Sequence, residues 1–392
     1  MQRLREAHLK LTLRQQITQF AHVLQTGLFP MLNEELGELT DSATRLVATL
    51  EMIPLARFVP SSRGWMGRPS KDRLAIASAF VAKAVYGFKT TRQLLESLDS
   101  DPQLRRICGW KESRQVPHEA TFSRAFDEFA RMELPQFVHE TLIRETQKDR
   151  LIGHIARDST AIEVRERFPE KPQQAAEQTG KVKAKRGPKG GPHKRHKGGK
   201  PKYTPKEGTR MHQQRQMELA PMLDELPDDC SLGVKARDGN QQYWRGYKLH
   251  LDVADGQIPI SGILTAASLH DSQVAIPLAT MTAQRVTNLY DVMDAAYDAT
   301  EILEHSRSLG HVPIIWPVKR GRKETGYQAT RAMSWAEEDR FRERTMVERV
   351  YGRLKDEFGG REIRVRGARK VMAHLMFGVL ALTADQILKL VV

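Results

Sequence analysis

The sequence predicts an α/β fold, in which a mixed sheet with flanking helices is preceded by an all-α segment and interrupted by a basic insertion. Three observations predict it. Apolar residues recur at helical spacing up to about residue 150, β-branched text sets in at Leu151, and helical and strand-like segments then alternate toward the C-terminus.

Within the first segment, Ser70 is placed to cap a helix carrying Leu74, Ala77, Val81 and Ala84. Thr91 is placed to cap the next, with Leu94, Leu95 and Leu98. After Pro117, the residues Phe122, Phe126 and Phe129 mark a third apolar stripe. A compact helical domain over 1–150 follows.

LIGHIARDSTAIEV, from Leu151, reads as the first strand, with Asp158 at its end. Farther on, Asp238-Gly239 and Asp255-Gly256 are hairpin turn signals, and Tyr247, Leu249, Leu251 and Val253 alternate as a half-buried strand requires. Asp271 and Ser272 suit the start of a helix running to about Arg285, with His270 a packed or hydrogen-bonded histidine. NLYDVMD then reads as a short buried strand, and HVPIIWPV as another with Trp316 in the core. The text from Trp335 to Phe358 is helical, and a last amphipathic helix from Lys370 toward Leu390 carries Val371, Leu375, Val379, Leu382 and Ile387. Three strands, helix, strand, helix, strand, helix is an order that gives an antiparallel first half and a crossover-connected second half. The boundaries are a core over 151–368, a basic, flexible insertion over 165–230 inside it, and a C-terminal helix over 369–392.

The chain is basic, with a formal charge of +14 and pI ≈ 9.7, a balance that draws polyanions. Ten cations, Lys181, Lys183, Lys185, Arg186, Lys189, Lys194, Arg195, Lys197, Lys200 and Lys202, stand in one acid-free run interleaved with Gly and Pro. Such a run packs no core and gives sequence-independent, salt-sensitive affinity for nucleic acid, or else merely solvates a loop. Two cysteines, Cys108 and Cys230, exclude a disulfide framework and fit a reducing, cytoplasmic setting. The charged start MQRLREAHLK lacks a signal-peptide apolar stretch, and the most apolar segment, Met376 to Ala384, is short for a membrane span.

Three acids stand out. Phosphoryl transfer on DNA commonly uses two divalent cations, and Mg²⁺ (or Mn²⁺) takes hard carboxylate oxygens while keeping several waters. Asp158 and Asp294 end predicted strands, and Glu348 lies on a predicted helix. On one straight helix Phe341, Arg344, Glu348 and Lys355 fall within an arc of about 60°, which sets an acid between two cations. The bland reading of that arc is an ordinary ion-pair face. Asp298 competes with Asp294, but suits a helix cap better.

These phrases resemble the DDE transposases of bacterial insertion sequences, whose catalytic core is RNase H-like. RDST at Arg157 is similar to the family's first-strand segment and MDAAYD at Met293 to the segment of its second acid. Phe341, Arg344, Glu348 and Lys355 match the spacing of its Tyr-Arg-Glu-Lys signature. GYKLHL, with Lys248, LHDSQ and RVYGRLKDEFGG are further family-like text. The resemblance spans Leu151 to the C-terminus, and less specifically about Ser70 to Arg131. It implies that Asp158, Asp294 and Glu348 are catalytic metal ligands for a pair of Mg²⁺ ions. It also implies DNA contacts from Arg344, Lys355, Phe341 and Lys248, with the basic run (Lys185, Arg186, Lys194 and Arg195) assisting. Strand cleavage at transposon ends and transfer into target DNA, by a homodimer with the N-terminal helices reading the terminal repeats, complete the implied picture. Phe341 departs from the signature tyrosine, which leaves stacking in place of a phenolic phosphate contact. The step of 54 residues from Asp294 to Glu348 leaves little room for a large inserted β-domain, so a hairpin excision route is not implied. An RNase H-like nuclease without strand transfer, or a retired transposase acting as a DNA-binding regulator, are the rival readings.

Overall fold

Strands whose side chains are buried on both faces, as those from Ile258 to Ala266 are, have to lie between layers of helices. The computed structural model describes residues 13–59, 71–166, 209–237, 240–317 and 333–390. Ser70, Asp238-Gly239, Lys185, Arg186, Lys194 and Arg195 lie outside them.

Helices α1 (Leu13–Val23), α2 (Phe29–Leu36), α3 (Asp41–Met52), α4 (Arg73–Val85), α5 (Thr91–Ser100), α6 (Pro102–Ile107), α7 (Glu119–Arg131) and α8 (Leu134–Gln147) form the N-terminal region. Asp72 caps α4 by accepting from the Leu74 and Ala75 amides. Thr90 rather than Thr91 caps α5, accepting from Gln93 N at 3.1 Å, because Thr91 is already the first helical residue. Phe122, Phe126 and Phe129 all pack against Phe80 of α4.

The sheet contains β1 (Leu151–Glu163), β2 (Ser231–Arg237), β3 (Asn240–Ala254), β4 (Ile258–Ala266), β5 (Thr287–Met293) and β6 (Val312–Ile315). β3 pairs antiparallel with β1, β2 and β4, and β1 continues in parallel into β5 and then β6. The first half thus holds four strands where three were expected, with β2 and the start of β3 forming an extra antiparallel pair. Short helices α9 (Arg210–Gln214) and α10 (Leu219–Asp224) precede β2 and pack on α11 (Ser272–Ala283). The described end of the expected flexible insertion is therefore folded, because Met222 and Gln214 are buried there. After α12 (Thr300–Ser308) and β6 come α13 (Trp335–Phe341), a 3₁₀ turn (Arg342–Arg344), α14 (Thr345–Asp356) and α15 (Ala368–Lys389).

α15 corrects the expectation of an amphipathic helix. Every residue from Leu375 to Ile387 is buried, because α4, α7 and α8 pack on one side and β4 on the other. By length and composition α15 could cross a membrane, but 83% of its most apolar window is buried inside the protein. It gives the N-terminal helices and the sheet one continuous hydrophobic core.

Under the sheet, away from α14, lies a buried polar cluster. Arg157 grips Asp252 with two bonds of 2.8 and 2.7 Å, and Thr282 Oγ1 donates to Asp252 at 2.6 Å. Asp291 beside them accepts from Ser306 at 2.6 Å and contacts His311 Nδ1 at 3.1 Å. Burial opposes ionisation of Asp291, but His311 and Arg157 outweigh it and hold its pKa at about 2. The cluster fixes β1, β3, β5 and α11 against one another.

Candidate active site

Strand register brings the first two acids together. Arg157 faces Met293 in the last pair of the parallel β1–β5 ladder, so Asp158 and Asp294 are the next residues on neighbouring strands, about 5 Å apart in backbone terms. Asp158 does not end β1, as expected. β3 goes on pairing with β1 to Glu163, opposite Gly246, so Asp158 marks only the point where β5 leaves. Asp294 turns the chain there and accepts from Ala296 N at 2.9 Å. Asp298 does not cap the following helix: the cap position of α12 is Ala299, without a side-chain bond.

Glu348 reaches the pair through Arg344. Nη1 of Arg344 lies 3.1 Å from Asp158 Oδ2 and its Nη2 lies 2.5 Å from Glu348 Oε1, so one guanidinium spans both carboxylates. The straight helix assumed for the signature is broken by the 3₁₀ turn, whose last residue is Arg344, and Arg344 still meets its i+4 neighbour Glu348. Phe341 rests against Trp316 at 5.2 Å between ring centroids. Trp316 itself lies past the end of β6 and is half exposed, not in the core, because its ring covers Phe341 at the rim. Lys355 donates to Thr160 Oγ1 at 2.7 Å, two residues along β1 from Asp158. Lys248 is drawn inward: its Nζ donates to Asp271 Oδ1 at 2.8 Å and to the Leu269 carbonyl at 2.9 Å. Asp271 therefore does not cap α11. His270 does so instead, with Nδ1 3.3 Å from Ser272 N.

The electrostatics are those of a carboxylate site short of cations. Asp158 is pushed up to about 6, first by burial and then by the nearby Asp294 and Asp271, against the Ser159 amide and Arg344. Among the described residues no three acids, histidines or cysteines stand close enough to hold an ion as they are. The Arg344 guanidinium lies between Asp158 and Glu348 and pairs with both. The donor set still fits a divalent ion. Its ligands would be hard oxygens, Asp158 keeps its unfavourable charge, and Glu348, held by Arg344, has its side chain about half exposed.

The Transposase DDE domain family matches residues 150–384, and the Transposase domain (DUF772) family matches residues 34–128. The first match alone covers more than half of the chain. This protein is a DDE transposase. No curated protein matches it. The RNase H-like core of that family accounts for the mixed sheet, and the expectation of a DDE insertion-sequence transposase stands. DDE transposases use divalent metal ions and bind DNA, and the basic charge of this transposase is in keeping with the second of these.

Two tyrosines of the transposase site were missed by sequence reasoning. Tyr351 Oη is 2.7 Å from the Asp158 carbonyl and 3.1 Å from that of Leu249, and accepts from Leu251 N at 3.0 Å. Its phenol thus stitches β1 to β3 at the strand position of Asp158. Tyr297 is buried with its hydroxyl unpartnered among the described residues, and burial together with Asp271, Asp158 and Asp294 keeps it firmly un-ionised. Both stand three residues after an acid, at Glu348 and Asp294, which is the one signal that points to them.

Proposed function

We propose that this transposase cuts DNA strands at the ends of its element and joins them to target DNA, with Asp158, Asp294 and Glu348 as one ligand set. The adjacency of Asp158 and Asp294 at the last step of the β1–β5 ladder carries the reading. Arg344 adds the second link, holding Asp158 and Glu348 to one guanidinium. When bound, a pair of Mg²⁺ (or Mn²⁺) ions would lower the pKa of the attacking water and stabilise the leaving oxygen.

The chain's own residues do the rest. Asp158 and Asp294 hold a charge pair ready, and Glu348 turns in once Arg344 lets go. Released, Arg344 pairs with a phosphate oxygen of the bound strand, a role its planar fork suits. Lys355, anchored by Thr160 on the same edge, neutralises a neighbouring phosphate. Phe341 and Trp316 offer a half-exposed aromatic face at the rim for an unpaired base. Lys248 acts as a support, holding Asp271 behind the site. The same site then serves both steps: water attack on the phosphodiester at the end frees a 3′-hydroxyl, which attacks a target phosphodiester and displaces the target strand's own 3′-hydroxyl. Two ends are joined at once by a homodimer, with the helices before residue 150 recognising the terminal repeats.

Incubation of the purified protein with labelled DNA carrying the element's ends, an intact target plasmid and Mg²⁺ tests this. Nicked ends together with end–target joints are expected. Nicks that never become joints would reduce the protein to a nuclease, and neither product with intact DNA binding would make it a regulator.

A further inference from the structure

Lys83 sits in the middle of the most apolar helix of the N-terminal region, α4, and it is buried to the extent of nine-tenths. No hydrogen bond or ion pair to its ammonium exists among the described residues. A buried, unpaired ammonium is costly unless something anionic meets it. It opens instead onto a cavity of about 160 Å³ between α4, α5, α7 and the irregular segment after Gly360. The walls include Phe80, Phe126 and Val365, so charge inside is poorly screened. Burial accordingly lowers the Lys83 ammonium to about 8.

The other polar groups around the cavity suit an anion. Thr90 and Thr91 start α5 there, and Thr90 spends its hydroxyl on the Gln93 amide, so the amides of Thr91 and Arg92 have no intrahelical acceptor. Ser123 offers a hydroxyl, and Lys89 and Arg364, the latter also paired with Glu362 at 3.1 Å, offer charge at the mouth. The one acid, Glu119, is turned to Arg92 at 3.7 Å, and His374 is committed to the Gly359 carbonyl at 3.0 Å. The space equals that of about five waters, too small for a nucleoside and ample for one phosphoryl group.

We propose that Lys83, the first turn of α5 and Arg364 form a phosphate-binding site, filled by a backbone phosphate of DNA that runs from the catalytic face onto the helical region. The DNA source rests on the function proposed above. The phosphoryl chemistry does not. Neither Lys83 nor Arg364 touches the carboxylate site.

Lys83→Met and Arg364→Gln separate the possibilities. Lys83→Met removes an uncompensated buried charge and is expected to fold, and Arg364 is exposed enough for its loss to leave the fold intact. Affinity for end DNA and for scrambled DNA is measured against salt concentration, and thermal stability is measured in inorganic phosphate against chloride at matched ionic strength. If the site holds backbone phosphate, each variant binds both DNAs more weakly and to the same degree. The slope of log affinity against log salt then falls by about 0.9 for the one lost contact. Phosphate that stabilises the natural protein but not Lys83→Met, with unchanged DNA slopes, supports the same site with a free phosphate as its ligand. Unchanged slopes together with an equal response to phosphate would overturn the proposal. No step requires cutting, so failure here leaves the cleavage reading standing, and failure of cleavage leaves this result readable.

Discussion

Asp158→Asn is expected to make the folded protein more stable near neutral pH, at the expense of whatever the carboxylate does. The Asp158 carboxyl titrates at about 6 in the folded protein against an ordinary 3.8. Below 3.8 both folded and unfolded chains hold the proton, and the group contributes nothing to the balance. Between the two values the unfolded chain has released its proton while the folded one keeps it, so stability falls as pH rises. Above about 6 both are ionised and the full cost is present: 6 − 3.8 is 2.2 pH units, or about 3 kcal/mol. Burial supplies most of this cost, and Asp294 and Asp271 add to it. An amide keeps the shape, accepts the Ser159 N–H as Oδ1 now does at 2.7 Å, and carries no charge. Urea unfolding without divalent metal should therefore show the variant ahead by about 3 kcal/mol near pH 7 and level with the natural chain below about pH 4. Mg²⁺ should narrow the gap by stabilising only the natural protein. Equal or lower stability of the variant near pH 7, or a gain independent of pH, would refute the reasoning.

Other substitutions probe the frame around the site. Tyr351→Phe strips the hydroxyl that serves the Leu251 amide and the Asp158 carbonyl, so a loss of about 1–3 kcal/mol in urea unfolding is expected. Asp252→Asn leaves Arg157 as a buried charge without its counter-ion, and the same measurement should read a loss of about 3–5 kcal/mol. Gly378→Ala would put a methyl 2.7 Å from the Phe358 carbonyl oxygen and 3.0 Å from Leu354 Cδ1, where α15 crosses the end of α14. It should cost about 1–3 kcal/mol and, by shifting the Glu348 helix, slow cleavage more than it weakens DNA binding.

How much of this was legible in the sequence depended on the range of the signal. β1, β3 and β5 announce themselves because Tyr247, Leu249, Leu251 and Val253 alternate and NLYDVM is a short apolar run, and both patterns are local. The spacing of Arg344 and Glu348 was equally readable, since residues four apart on a helix meet wherever the helix goes. What spacing could not reveal was the 3₁₀ turn after Phe341, which packs against β1 and β5. Nor could it reveal that Lys248 and Asp271, 23 residues apart, would satisfy each other and so withdraw one acid from capping and one cation from the surface. The ring of Tyr351 is buried, but its hydroxyl finds partners on two strands far away in the chain, which no local pattern announces. α15 was taken for a one-sided helix because several of its apolar residues recur at helical spacing. The small residues between them, Ala373, Gly378, Ala381 and Ala384, are equally buried, because a second layer of helices covers that side.

The claim on which the account turns is that three acids distant in sequence act as one metal-binding set. Asp158→Asn, Asp294→Asn and Glu348→Gln, with Asp298→Asn alongside, should be compared for Mg²⁺-dependent cleavage of end DNA and for binding to it. Each of the first three is expected to bind DNA like the natural protein and to lose more than about 100-fold in cleavage, beyond what loss of an outer-shell partner costs. Asp298→Asn should still cut. Cleavage at the natural rate by any of the first three would contradict the account.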